Sequence, residues 1–275
     1  SEYLDLLFNP FTSIGAISGG LGKAVQLPYE IDVSFSCSAG KEEIVVGSEK
    51  KAGKKTDKFI FASSARTDNL FIFAEPFNLP FRIADLVYAF PSSQNLCLLY
   101  DSKSREIAEE IFADVSDNLP TAEQNFLLCE NAECCKQLEN AKVISFSSEK
   151  GDVRVIGKEN FGYGRVISSG KESYFIGKPL LIAAIFSDYS IYDCNFRRLM
   201  KKTSAITEIY ADKARFLQQT QQKCSYDLFI SDLQKMKSTA NSLSSSPQLT
   251  LIESLYSTAS AFEERNRNLI CAQVY

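Results

Sequence analysis

The stretch Pro179–Leu217, PLLIAAIFSDYSIYDCNFRRLMKKTSAITEIYADKARFL, divides the chain into two kinds of sequence. Before it, short apolar runs alternate with amphipathic ones. After it, every long segment carries helical periodicity. The run Leu180–Phe186 has no polar position, so it has no face to offer to water and reads as a buried helix. Ser187-Asp188 then breaks the run and a long amphipathic helix follows. The stretch is therefore the joint between an α/β part and a helical part.

Working back from that joint, Phe59–Phe61, Leu70–Phe73, Leu96–Tyr100, Phe126–Cys129 and Val143–Phe146 are short apolar runs of the kind found in central strands. Pro80 is placed to start a helix with Ile83, Ala84, Val87 and Phe90 on one face. Asp101–Ser104 caps a helix whose stripe is Ile107, Ile111 and Val115. A short helix is expected over Asn131–Asn140. Strand and helix thus alternate, which predicts a Rossmann-like or flavodoxin-like parallel sheet layer. Val153–Ile156 and Arg165–Ser168 read as a hairpin on its edge.

Nearer the start, Ile31, Val33, Phe35 and Cys37 alternate with polar residues and return through Glu43–Val46, a small N-terminal β-hairpin region. Gly15–Lys23 resembles a phosphate loop, but Leu21 stands where the lysine is required, so it reads as a lead-in. Lys50–Lys55 reads as a solvated loop tip.

Beyond the joint, three helices carry seams with steps of three and four. The first is Phe196, Leu199, Thr203, Ile206, Tyr210, Lys213 and Leu217. The second is Phe229, Leu233, Met236, Ala240 and Leu243. The third is Ile252, Leu255, Ala259, Phe262, Asn266 and Leu269. Ser244–Pro247 separates the last two. These predict a C-terminal antiparallel three-helix bundle. The expected α/β organisation is residues 1–57 as lead-in and hairpin, 58–186 as sheet domain, and 187–275 as bundle.

Composition narrows the chemistry. The chain has 275 residues and no histidine, which excludes a Ser-His-Asp triad, a Cys-His dyad and histidine-ligated metal within it. Its net charge of -4 and lack of a nucleic-acid motif argue against a nucleic-acid partner. No sequence motif calls for a metal or a cofactor. The eight cysteines, Cys37, Cys97, Cys129, Cys134, Cys135, Cys194, Cys224 and Cys271, are even in number and contain no C-x-x-C pair. Their count and their clustering near residue 130 favour an oxidised, extracytoplasmic set over reduced core thiols. Similar lengths of the last two helices place Cys271 beside Cys224. Cys129 can close a loop with Cys134 or Cys135. Cys194 needs a partner near the sheet layer or stays free, and Cys37 with Cys97 is the remainder.

Ligands of open α/β sheets bind beyond the carboxyl ends of the strands. Those ends carry Glu75, Asp101, Ser102, Ser104 and Glu130, the candidates for an anionic ligand or an active site. Ser102 and Ser104 read first as helix caps, which is what serines at a helix start usually are. No G-x-G-x-x-G follows a strand, so a dinucleotide has no support.

The segments Ala184–Asp188 (AIFSD), Ile191–Asn195 (IYDCN), Arg198–Met200 (RLM) and Tyr210–Lys213 (YADK) carry a family resemblance. So do Asp57–Ala62 (DKFIFA) and Pro80–Arg82 (PFR). Over roughly residues 25–275 the chain resembles a family of membrane-anchored, cysteine-containing surface proteins of small-celled archaea, which carry class III, pilin-type signal peptides. The resemblance implies an ectodomain on the extracellular face of the membrane, held by an anchor preceding Ser1, with a protein partner at the cell surface. It carries no catalytic residues. The resulting expectation is a non-enzymatic surface domain acting in adhesion or in assembly of a pilus-like complex. The alternatives are a Rossmann-like enzyme or anion binder using the strand ends, and an oligomerisation role for the bundle.

Overall fold

A computed structural model describes residues 23–38, 41–47, 49–52, 59–118, 125–221, 224–269 and 271–275. The glycine-rich lead-in and residues 53–55 of the lysine-rich segment lie outside the described residues, whereas Lys50–Ala52, expected in a loop tip, belong to a strand that pairs with Glu43–Val45. The fold is mixed α/β, with two sheets and six helices among the described residues. It divides into two compact units, Ser1–Glu75 with Asp85–Asn195, and Pro76–Ala84 with Phe196–Tyr275.

In the first unit, the first sheet contains β1 (Lys23–Ser38), β2 (Lys41–Val46), β3 (Glu49–Ala52), β4 (Phe59–Ala62), β5 (Ala65–Asn78) and β6 (Arg82–Pro91), in the order β3-β2-β1-β5-β6-β4. β1 pairs antiparallel with β2 and β5, and β4 pairs parallel with β6. The N-terminal hairpin is therefore not a separate region. It shares one sheet with the strands expected to begin the α/β layer.

The helix expected after Pro80 is instead β6. The spacing of Ile83, Ala84, Val87 and Phe90 fits a helix face, but residues between them, Leu86, Tyr88 and Ala89, are buried too. A segment buried on both faces and rich in branched and aromatic side chains suits a central strand. Periodicity alone cannot separate the two cases in so short a run.

The second sheet contains β7 (Leu96–Leu99), β8 (Phe126–Cys129), β9 (Lys142–Ser145), β10 (Val153–Lys158), β11 (Tyr163–Ser168) and β12 (Lys171–Ile176), in the order β12-β11-β10-β9-β7-β8. The strands from β7 to β10 pair in parallel, and β11 and β12 extend the sheet antiparallel. α1 (Arg105–Asn118) links β7 to β8. The helix expected over Asn131–Asn140 is the shorter α2 (Ala132–Cys135), capped by the Asn131 side chain.

Between the sheets lies α3 (Gly177–Phe186), with Leu180–Phe186 all buried. Gly177 opens it at a φ of +73°, a backbone conformation that costs a residue with a Cβ. Tyr88 of β6 donates its hydroxyl to Pro179 O at 2.9 Å. The Phe186 ring meets Phe90 of the first sheet at 4.8 Å and Phe126 of the second at 6.3 Å. Both sheets bury their inner faces against one helix that has no polar side.

The first sheet rolls back on itself. Its edge strand β4 is tied to β2, where the Glu42 carboxylate accepts from Ile60 N–H at 3.0 Å. The Ile60 carbonyl accepts from the Asn195 amide at 2.7 Å. These side chains satisfy the outward backbone groups of an edge strand, which would otherwise be left without partners. Asn195 lies on α4 (Tyr189–Thr220), and its neighbour Cys194 is bonded to Cys37 of β1.

In the second unit, the remainder of α4 is followed by α5 (Asp227–Ser245) and α6 (Leu249–Arg267). The expected seam residues of α5 and α6 are buried, apart from Leu269, which lies past the end of α6 and is half-buried. On α4 the buried line instead runs through Phe196, Leu199, Thr203, Thr207, Ala211 and Ala214, while Lys213 is exposed. Thr203 and Thr207 hide their hydroxyls by donating to the carbonyls of Leu199 and Thr203. That is how polar residues occupy the core line, and why Thr207, unlike Thr203, is passed over by a hydropathy reading.

Ties between helices include Gln218 to Asp227 at 2.7 Å, and the ion pairs Glu208–Lys237 and Asp232–Arg265. Phe81, at the tip of the β5–β6 hairpin, stacks on Tyr210 at 4.0 Å and meets the edges of Phe262 and Tyr275. The Asn266 carboxamide accepts from Val274 N–H at 2.8 Å, which explains an asparagine on the buried seam of α6.

Asn195→Ala should therefore destabilise the chain by about 1–3 kcal/mol, because it strands a buried carbonyl of β4. Urea unfolding measures this, and a change below about 0.5 kcal/mol, the size of an ordinary surface effect, would contradict it.

Candidate functional site

The five strand-end candidates are placed in different surroundings. Asp101 and Ser104 close the first turn of α1. The Asp101 carboxylate accepts from the N–H groups of Lys103 and Ser104 and from the Ser104 hydroxyl, at 2.9 to 3.0 Å. Burial pushes this carboxyl up, but the bonds from Ser104 and Lys103 outweigh it and hold it below the usual carboxylate range. Ser102 is exposed beside them. Glu130 accepts from the Tyr100 hydroxyl at 3.2 Å. The nearby cleft, about 320 Å³, is lined by Lys103, Glu106, Glu110, Phe161 and Lys178 among others, and by none of the five.

Glu75 is the exception among them in its electrostatics. Burial pushes its carboxyl up to about 7, Asp114 adds to the rise, and Lys178 opposes it. Lys178 is itself bound to Asp114 at 2.6 Å and to Glu110 at 3.5 Å, so its charge is already shared.

A second concave region was not anticipated from the sequence. It lies at the opposite ends of the parallel strands, where β9 begins with Lys142. Its volume is about 510 Å³, and its lining includes Ser63, Asn95, Glu139, Lys142 and Asp188. Four separate turns supply these groups: the one between β4 and β5, the crossing from β6 to β7, the approach to β9, and the break between α3 and α4.

The break is fixed by its hydrogen bonds. Asp188 N–H donates to Ala62 O at 3.0 Å, and its carboxylate accepts from Ser64 N–H at 2.9 Å. Lys142 reaches under it and donates to Ile185 O at 3.2 Å, in the last turn of α3. The last carbonyls of a helix lack internal partners and carry partial negative charge, so an ammonium there is stabilising. Burial nevertheless holds Lys142 below the usual lysine range, against the opposing pull of Asp188 and Asp152. Ser63, 7% exposed, has a buried hydroxyl with no partner among the described residues.

The arrangement offers an ammonium with unused donors, a free hydroxyl and a carboxylate, which can hold a small hydrogen-bonding molecule. Ser63, Lys142 and Asp188 are far apart in sequence, and neither Ser63 nor Lys142 belongs to a motif. Only Asp188 carried a signal, as the break after an apolar run.

All eight cysteines are paired, as Cys37–Cys194, Cys97–Cys135, Cys129–Cys134 and Cys224–Cys271. The remainder pairing of Cys37 with Cys97 is not formed. The rolled first sheet brings Cys37 to α4, whereas Cys97 lies in the second sheet facing α2.

Glu75 gives a pH signature. Its folded pKa lies above its unfolded value of 4.5, so the folded state holds the proton more tightly between pH 4.5 and 7. Stability from this group is complete below the unfolded value and is lost as pH rises through about 7. Glu75→Gln, which stays neutral, should unfold at higher urea than the native chain at pH 8, by on the order of 2–3 kcal/mol, and match it near pH 4. An equal difference at both pH values would show that ionisation is not involved.

No family model matches the chain, and neither the curated proteins nor the solved structures contain a significant match to it.

Proposed function

We propose that the chain is a non-enzymatic extracytoplasmic domain displayed at the cell surface, where it acts in adhesion or in assembly of a pilus-like complex. The observation that carries this reading is the complete pairing of eight cysteines into four disulfides. Such sets persist in oxidising surroundings and are rare in a reducing cytosol. No helix among the described residues is long and apolar enough to cross a membrane, so surface attachment is assigned to an anchor outside them, as the family resemblance implies.

We infer that the helices of the second unit form an antiparallel three-helix bundle. The ties between the end of α4 and the start of α5, and the Cys224–Cys271 bond, support that arrangement. Ile209 and Phe216, seven residues apart on α4, are 66% and 63% exposed, and Leu228 is 64% exposed. Exposed apolar side chains of that size, two on α4 and one on α5, support contact with a protein partner. We read β7–β10 with α1 as the Rossmann-like layer. The alternative, an anionic ligand at its carboxyl ends, loses support because Asp101 and Ser104 are spent on capping α1.

Labelling intact source cells with a membrane-impermeant amine reagent tests the reading. The protein should be labelled without cell lysis, and its cysteines should resist alkylation until reduced. Protection from the reagent together with freely alkylated cysteines would overturn it.

A further inference from the structure

Cys97, Cys129, Cys134 and Cys135 gather on one face of the second sheet. Cys97 is on β7 and Cys129 on β8, adjacent parallel strands in which Cys97 lies opposite Leu127 and Leu99 opposite Cys129. Cys134 and Cys135 are consecutive on α2, and each gives its sulfur to a different strand. The sulfurs of Cys97, Cys129 and Cys135 all lie within 4.8 Å of one another, although Cys129 belongs to one bond and the other two to the second. Cys97, Cys129 and Cys135 are buried, packed with Leu99 and against Leu127 and Val143, while Cys134 is half-exposed.

A thiolate exchanges with a disulfide by attacking one of its sulfurs, and access and proximity set where this occurs. We propose that these four cysteines form a thiol–disulfide exchange site, opened at Cys134 by a low-molecular-weight monothiol. In the first step the thiolate bonds to Cys134 Sγ and the Cys129–Cys134 bond breaks, leaving the electron pair on Cys129. In the second, the Cys129 thiolate bonds to Cys97 Sγ and the Cys97–Cys135 bond breaks, leaving Cys135 as thiolate. In the third, Cys135 attacks Cys134 Sγ and expels the monothiol. Two disulfides are present at the start and two at the end, and the monothiol is regenerated, so no net oxidant or reductant is consumed. The exchanged form joins the strands through Cys97–Cys129 and closes a ring between the adjacent Cys134 and Cys135, which the helical backbone of α2 does not fit, so the turn opens and leaves the sheet. No C-x-x-C motif signals this site, because the fold assembles it from two strands and a short helix.

The test uses the full oxidised chain treated with glutathione, then quenched with acid and alkylated. Digestion with trypsin and a glutamate-specific protease cuts after Glu130 and Glu133, which separates Cys129 from Cys134 and Cys135. A species linking the Cys97 peptide directly to the Cys129 peptide, free of the Cys134–Cys135 peptide, should appear after treatment and be missing without thiol. Cys134→Ser supplies a second route. Its unpaired Cys129 should form the same link with no added thiol, leaving Cys135 alkylatable. The proposal is overturned if glutathione opens Cys129–Cys134 while Cys97–Cys135 stays intact. It is overturned equally if Cys129 remains wholly alkylatable in a folded Cys134→Ser chain.

Discussion

The first unit is governed by the need to hide a helix that is apolar on every side. Leu180–Phe186 cannot sit on a surface or on the face of one sheet, because one of its sides would still meet water. Two sheets are required, and the chain supplies them on opposite sides of α3. The burial of such a segment is worth roughly 1.5–3 kcal/mol for each large side chain, enough to dominate the local balance. The features at its ends follow from the same demand. Gly177 allows the sharp start, Asp188 fixes the stop, and Lys142 donates to the helix-end carbonyl of Ile185. The unexpected polar groove is thus a consequence of ending a buried helix. The same groups that finish α3 are the ones a ligand would meet.

The second constraint is closure of the first sheet. A rolled sheet leaves its last strand with unpaired backbone groups, and here Glu42 and Asn195 fill them from either side. Cys37–Cys194 then crosses the same gap with a sequence separation of 157. A bond over so long a loop restricts the unfolded chain strongly, typically by about 2–4 kcal/mol or more. Closure makes the first turns of α4 part of the sheet-bearing unit, so the division between units falls at Asn195 and Phe196. The chain's own break at Ser187-Asp188 comes earlier, because it marks the end of α3 and not the end of the unit.

Local pattern carried the elements whose burial is uniform or strictly periodic. The run of α3, the strands β4, β7 and β8, the hairpin of β10 and β11, and the stripes of α5 and α6 are all legible in the residues. What misled was ambiguity of period. Ile83–Phe90 satisfies a helical spacing and is also buried throughout, and only pairing with β4 and β5 decides it. The partition into two sheets was not legible, since apolar strands do not announce their neighbours. Cys37–Cys194 depends on the rolled sheet and was hidden for that reason. Of the candidate site, the capping role of Asp101 and Ser104 could be read from spacing, whereas Ser63 and Lys142 meet only after folding.

Native-state hydrogen exchange across α3 tests most directly whether the buried helix governs the first unit. The amides of Leu181–Phe186 should be among the slowest in the chain and should exchange only through global unfolding, with the urea dependence of that transition. Exchange of these amides through local opening, at free energies well below global stability, would contradict a fold built around α3.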